Sequence, residues 1–113
     1  MNETIAAPST AKAPLLPRDP LLFALADPRR WAILAALSTG EALMVKTIAR
    51  RVGCSPALAS KHLAWLRRAG AVVAGEGGLY RIPAAFRPEP ARRVVDFGHC
   101  RLRFDAEAEG AQG

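Results

Sequence analysis

The amino-acid sequence predicts a mainly α-helical domain with a small β component, and three observations carry that reading. Half of the 113 residues are hydrophobic, and many of these are alanine, which favours helices over a sandwich. Three Asp-Pro or Ser-Pro pairs, Asp19-Pro20, Asp27-Pro28 and Ser55-Pro56, each join a capping side chain to a proline suited to the first helical turn. The run AVVAGEGGLYRIP, residues 71–83, sets two β-prone stretches around a glycine-rich centre, the pattern of a hairpin.

The chain is long enough for one small domain with one modest core. We expect that domain at residues 19–104, flanked by disordered tails at 1–18 and 105–113. The N-terminal stretch is rich in Ala, Pro, Ser and Thr without a sustained period. It also lacks the basic-then-apolar order of a signal peptide. Helices are then expected from Asp19-Pro20 (LLFALA) and from Asp27-Pro28 (RRWAILAALSTG). The second places Trp31, Ile33, Leu34 and Leu37 toward a core and stops before Gly40.

The stretch from Met44 to Gly70, MVKTIARRVGCSPALASKHLAWLRRAG, reads as two helices joined by a tight turn. Ile48, Ala49 and Val52 fall at helical spacing, and Gly53 supplies the residue that can end the first helix with φ > 0. Ser55 caps the second helix and Pro56 occupies its first position. On that second helix Ala59, Leu63 and Leu66 form the inward stripe, with His62 at its edge. The opposite face carries Ala57, Ser60, Lys61, Ala64 and Arg68, small residues and long cations suited to a major groove. This is a helix-turn-helix pattern, and a hairpin directly after it is a wing, with Arg81 its natural phosphate contact. The bland alternative is a helical junction with a solvated basic face and a hairpin that only covers the core.

Charge bears on that choice. The net charge is +6. From Met44 to Arg87 there are eight basic residues (Lys46, Arg50, Arg51, Lys61, Arg67, Arg68, Arg81 and Arg87) against the single acid Glu76. Such a concentration calls for a polyanion, and nucleic acid fits better than a membrane surface, since no stretch is long or apolar enough to insert. The candidate DNA contacts are Ser55, Ala57, Ser60, Lys61, Arg67, Arg68 and Arg81, with a recognition helix at 55–69.

The order of these elements resembles the ArsR family of winged-helix transcriptional repressors. The resemblance covers roughly Leu21 to Ile82 and is carried by ALADPRRWAILAAL, TIARRVGCSPALASKHLAWLRRAGAVV and the hairpin ending in LYRI. It implies a homodimer that binds double-stranded operator DNA as a repressor, while two cysteines at unrelated spacing fit a reducing cytoplasm. The family's metal-sensing members carry cysteines where this chain has Met44 and Lys46, so that metal site is not expected here. The alternative from another class is a winged-helix module that binds protein through its apolar and alanine-rich surfaces.

The C-terminal end departs from the family, whose members usually finish in a long dimerising helix. Pro88 and Pro90 interrupt the chain before RRVVDFGHCRLRFD. A helix would align Val94, Val95, Gly98 and Leu102, whereas Cys100, Leu102 and Phe104 alternate with Arg101, Arg103 and Asp105 as a half-buried strand does. Strand is the favoured reading, with Gly98 as a bulge and the segment beside the wing hairpin or its symmetry mate.

No catalytic constellation, metal-binding spacing or phosphate-binding glycine loop is present in the sequence, so neither an enzyme nor a cofactor is expected. Asp96, His99 and Cys100 are close in sequence, yet on one strand they would not share a face. Cys54 and Cys100 are the candidate redox residues. Cys54 abuts a helix N-terminus in a basic region, which favours a reactive thiolate, although its place in the motif suits a small core residue.

Overall fold

The computed structural model describes residues 16–89 and 91–104; the parts of the expected tails at 1–15 and 105–113 lie outside the described residues. The described residues form four α-helices: α1 (Arg18–Leu25), α2 (Pro28–Leu37), α3 (Val45–Val52) and α4 (Pro56–Arg68). A three-stranded antiparallel sheet, β1 (Leu43–Met44), β2 (Val73–Ala74) and β3 (Leu79–Arg81), has the order β1-β3-β2. A separate hairpin pairs β4 (Val94–Asp96) with β5 (Arg101–Arg103). This is a mixed α/β winged helix-turn-helix, mainly helical, with the small sheet as its wing.

Two of the three expected helix starts hold. Asp27 Oδ1 accepts from the Arg29 N–H at 2.7 Å and Ser55 Oγ from the Leu58 N–H at 3.1 Å, with Pro28 and Pro56 in the first turn of their helices. The Asp19-Pro20 start does not. Helix α1 begins two residues earlier, at Arg18, after Pro17, and has no side-chain cap. Asp19 instead lies inside the first turn, where its carboxylate meets the Arg18 Nε at 3.0 Å and faces the positive end of the helix.

Leu16, within the segment expected to be a tail, is buried and packs into the core. Its N–H donates to the Phe97 carbonyl at 3.4 Å. An apolar side chain with a seat in the core has a reason to be ordered that the composition of its neighbours hides.

The core runs through every helix: Leu21, Ile33, Leu34, Leu37, Ile48, Leu63 and Leu66 are fully buried, as are Val72 and Ile82 flanking the wing strands. Trp31 is only half-buried, its ring edge-on to Phe104 with centroids 5.3 Å apart. Phe86 and Phe97 make a second edge-on pair at 5.1 Å.

The wing hairpin forms in the register Val73↔Arg81 and Ala74↔Tyr80, around a 3-10 turn at Glu76–Gly78. Strand β1 was not expected. It pairs Leu43 with Tyr80 and Met44 with Leu79, so Met44 is extended backbone just before α3 and not part of that helix. The C-terminal segment is β-structure with Leu102 and Phe104 inward as expected, but in two short strands and not the single strand expected over Val94 to Phe104. Its arrangement differs from expectation, because β4 and β5 pair with each other and not with the wing. Gly98 belongs to the turn between them and not to a bulge: its N–H is held by Asp96 Oδ1 at 2.9 Å, while the Phe97 N–H reaches the Cys100 carbonyl at 2.9 Å.

Candidate nucleic-acid interface

The helix-turn-helix is fixed by local chemistry at its turn and at both ends of α4. Gly53 adopts φ +84°, which L side chains resist, and the Gly53 and Cys54 N–H groups both donate to the Ala49 carbonyl, at 2.8 and 3.0 Å. Pro56 at the first position and the Ser55 hydroxyl then start α4 at once. At its other end the Gly70 N–H bonds the Arg67 carbonyl at 3.0 Å and the Ala71 N–H the Leu66 carbonyl at 2.9 Å, the Schellman pattern, with Gly70 at φ +87°.

Ala59, His62, Leu63 and Leu66 are the buried face of α4. At 3.6 residues per turn the opposite arc carries Ala57, Ser60, Lys61, Ala64, Arg67 and Arg68, and all six are exposed. Ser55, Ala57, Ser60 and Lys61 come together at the start of the helix. Arg67 and Arg68 lie in its last turn, about 10 Å further along the axis from Ser60. The Arg68 guanidinium is held against the Trp65 ring, 4.7 Å from its centroid. Arg81 is exposed on a different element, β3.

Helices α3 and α4 together carry Lys46, Arg50, Arg51, Lys61, Arg67 and Arg68 and contain no carboxylate. Arg51 is drawn toward Glu41 at 3.6 Å, on the loop before β1. Lys46 and Arg50 are exposed and extend the basic surface beyond the residues singled out from the sequence.

What the sequence did not reveal is the junction that seats α4. Arg30 of α2 is only 7% exposed. Its Nε donates to the Ala24 carbonyl at 2.7 Å, its Nη2 to the Phe23 carbonyl at 3.2 Å, and its Nη1 lies 3.3 Å from His62 Nδ1. The guanidinium is flanked by the Phe23 and Trp65 rings, 5.5 and 6.0 Å away, which themselves meet at 5.0 Å. One cation therefore ties the end of α1 to α4. A second cation, Arg93 just before β4, holds the end of α2: it donates from Nε to Ser38 Oγ and from Nη2 to the Ala35 carbonyl, both at 2.9 Å. Neither α1 nor α2 has a basic residue in its own last turn, unlike α3 and α4. The missing counter-charge to each helix dipole is brought from elsewhere in the chain.

The perturbed groups are few. Burial pushes the His62 imidazole below its ordinary range, opposed by Asp27 and reinforced by Arg30. The Arg29 N–H holds the Asp27 carboxyl low. Both cysteines are free and half-buried. Burial, with Asp96 beside it, pushes the Cys100 thiol up, which reduces the thiolate available for redox chemistry there. Among the described residues no three His, Cys, Asp or Glu side chains form a group that could hold a metal ion. None of the described helices is long and apolar enough to cross a membrane.

Fold and basic face together define a winged helix-turn-helix DNA-binding domain. A family described as a helix-turn-helix domain matches residues 25–73. Among solved structures, HlyU from Vibrio cholerae N16961 is 30% identical, with 73% of this chain and 80% of that one covered and a TM-score of 0.51. No curated protein matches significantly. The chain belongs to the winged helix-turn-helix DNA-binding domains related to HlyU-like regulators.

Proposed function

We propose that the protein is a transcriptional repressor of the ArsR type, a cytoplasmic homodimer whose helix α4 enters the major groove of double-stranded DNA. The observation that carries this is the six cations of α3 and α4 with no carboxylate among them, on a motif whose exposed arc is otherwise small residues. Ala57, Ser60 and Ala64 let the helix approach base edges, Lys61, Arg67 and Arg68 neutralise phosphates, and Arg81 reaches the backbone from the wing. Three contacts to side chains of this size leave few hydrogen-bonding groups for base readout, so phosphate contacts supply most of the affinity.

Titrating the purified protein onto DNA at several salt concentrations tests the reading. Affinity should fall steeply with salt, and Lys61→Ala with Arg68→Ala should weaken binding to all sequences while flattening the log-log slope by about 2. Ser60→Ala should act on preferred sequence. If the double variant left affinity and slope unchanged, this docking face would be wrong.

A specific observation also keeps the protein-binding alternative in view. Helix α1 leaves Leu22 and Phe23 each 55% exposed, and an open hollow of about 540 Å³ between the end of α1 and α2 is lined by Leu25, Ala26, Pro28, Trp31, Ala32 and Ala35. A second copy covering this face would make the dimer. An apolar partner interface in place of DNA would leave affinity nearly indifferent to salt.

A further inference from the structure

His62 is the one buried histidine among the described residues, at 8% exposed, and it sits on the buried side of the recognition helix. Its only described hydrogen-bonding neighbour is the Arg30 guanidinium. A guanidinium has donors and no acceptor, so Nδ1 must be the unprotonated, accepting nitrogen. The neutral ring then carries its proton on Nε2, which is buried without a hydrogen-bond partner. A proton added to Nδ1 would remove the acceptor, set two cations 3.3 Å apart, and leave a buried charge with no partner for either N–H. The charges facing the ring are Asp27 from the turn before α2, Arg29 and Arg30 from α2, and Lys61 beside it on α4. Three of these four are cations, so the surroundings as a whole resist the second proton.

We propose that the His62–Arg30 contact is a pH-sensitive latch: protonation of His62 displaces the Arg30 guanidinium, frees the end of α1 from α4, and weakens DNA binding under mild acid. Displacement follows from the geometry. The same guanidinium that meets Nδ1 also holds the Ala24 and Phe23 carbonyls, so it cannot retreat from the ring without loosening its grip on α1. A loosened α4 must be reordered when it binds, and that ordering is charged against affinity.

The sign of the linkage is fixed by the direction of the shift. His62 binds its proton less readily when docked than when the junction is open. The docked state is therefore fully favoured above the ordinary histidine range near pH 6.5 and loses ground as pH falls through that range, levelling off below the depressed docked value. Simple electrostatics predicts the reverse for DNA, since an added positive charge should tighten binding.

The DNA arm rests on the function proposed above; a second arm does not. In the first, binding to a short generic DNA duplex is measured at constant salt from about pH 7.5 to about pH 5.5, for the wild type and for His62→Asn, whose side-chain carbonyl keeps an acceptor for Arg30 and does not titrate. The wild-type dissociation constant should rise about threefold or more, and the variant should be flat or tighten slightly. In the second arm, NMR of the wild-type protein without DNA follows the His62 ring, the Arg30 Nε–H and the Phe23 and Ala24 amides over the same range. All should move with one midpoint. If the duplex bound at no pH, the regulator reading would fail and the NMR arm alone would decide the latch. Amides of α1 that ignore His62 protonation, or wild-type affinity that tracks the variant, would overturn it.

Discussion

Replacing Arg30 with methionine isolates what the buried guanidinium does for the fold. Methionine keeps an unbranched apolar stem of similar reach between the Phe23 and Trp65 rings, so the packing is largely retained and the loss falls on the polar contacts. Two of those are charge-assisted bonds, to the Ala24 carbonyl at 2.7 Å and the Phe23 carbonyl at 3.2 Å, each contributing about 1.5–3 kcal/mol. The favourable charge at the end of α1 adds about 0.3–1 kcal/mol. Set against this is relief from the desolvation of a buried cation, which removes part of the total. A net loss of about 3 kcal/mol is expected, equivalent to a fall in Tm of about 12–24 °C for a domain of this size. Denaturant unfolding followed by circular dichroism measures it, with the m-value unchanged if only stability has moved. Arg30→Lys should fall between, because one ammonium cannot span three acceptors held in a fork. A loss below about 1 kcal/mol for the methionine variant would mean that α1 is seated by its apolar residues alone, and the account of the junction would be wrong.

Two further substitutions separate fold from binding. Ser55→Ala removes the hydroxyl that accepts the Leu58 N–H and should cost about 1 kcal/mol in the same unfolding assay; a neutral result would show that the Pro56 start suffices. Leu63→Ala truncates a fully buried side chain of α4 and should cost about 2–5 kcal/mol, with DNA affinity per folded molecule, measured well below the new Tm, close to wild type. Affinity lost while the domain stays folded would place Leu63 in the interface and not in the core.

The parts legible from sequence are those whose cause is local. Gly53, Ser55, Pro56 and Gly70 each act on backbone within a few positions, and the wing hairpin carries its own turn. Asp19-Pro20 shows the limit of the same logic: Leu16 and Leu21 take their core positions from contacts far along the chain, and the helix start moved to accommodate them. Strand β1 is two residues long and exists only because β3 offers an open edge. The period-2 pattern at Cys100 to Phe104 correctly gave strand but could not name its partner, since Asp96 folds the chain back through its own side chain. The exposed arc of α4 followed from helical spacing. The Arg30–His62 contact joins residues from different helices, and nothing in Arg29-Arg30 distinguishes the exposed cation from the buried one.

The bond from the Leu16 N–H to the Phe97 carbonyl joins the first described residue to the turn of the β4–β5 hairpin, and it bears on how the protein is made. During synthesis α1 leaves the ribosome before the Phe97 turn against which its leading end is laid, and that turn follows all four helices and the wing strands in the chain. Until then Leu16, Phe86 and the apolar side of α1 have no complete surface to cover them. The nascent chain thus holds a helix-turn-helix able to form from local contacts while its N-terminal end waits. Closing that long loop is the slow, non-local step, so a chain truncated before Val94 should show its first damage at the opposite terminus, as fast amide exchange through α1.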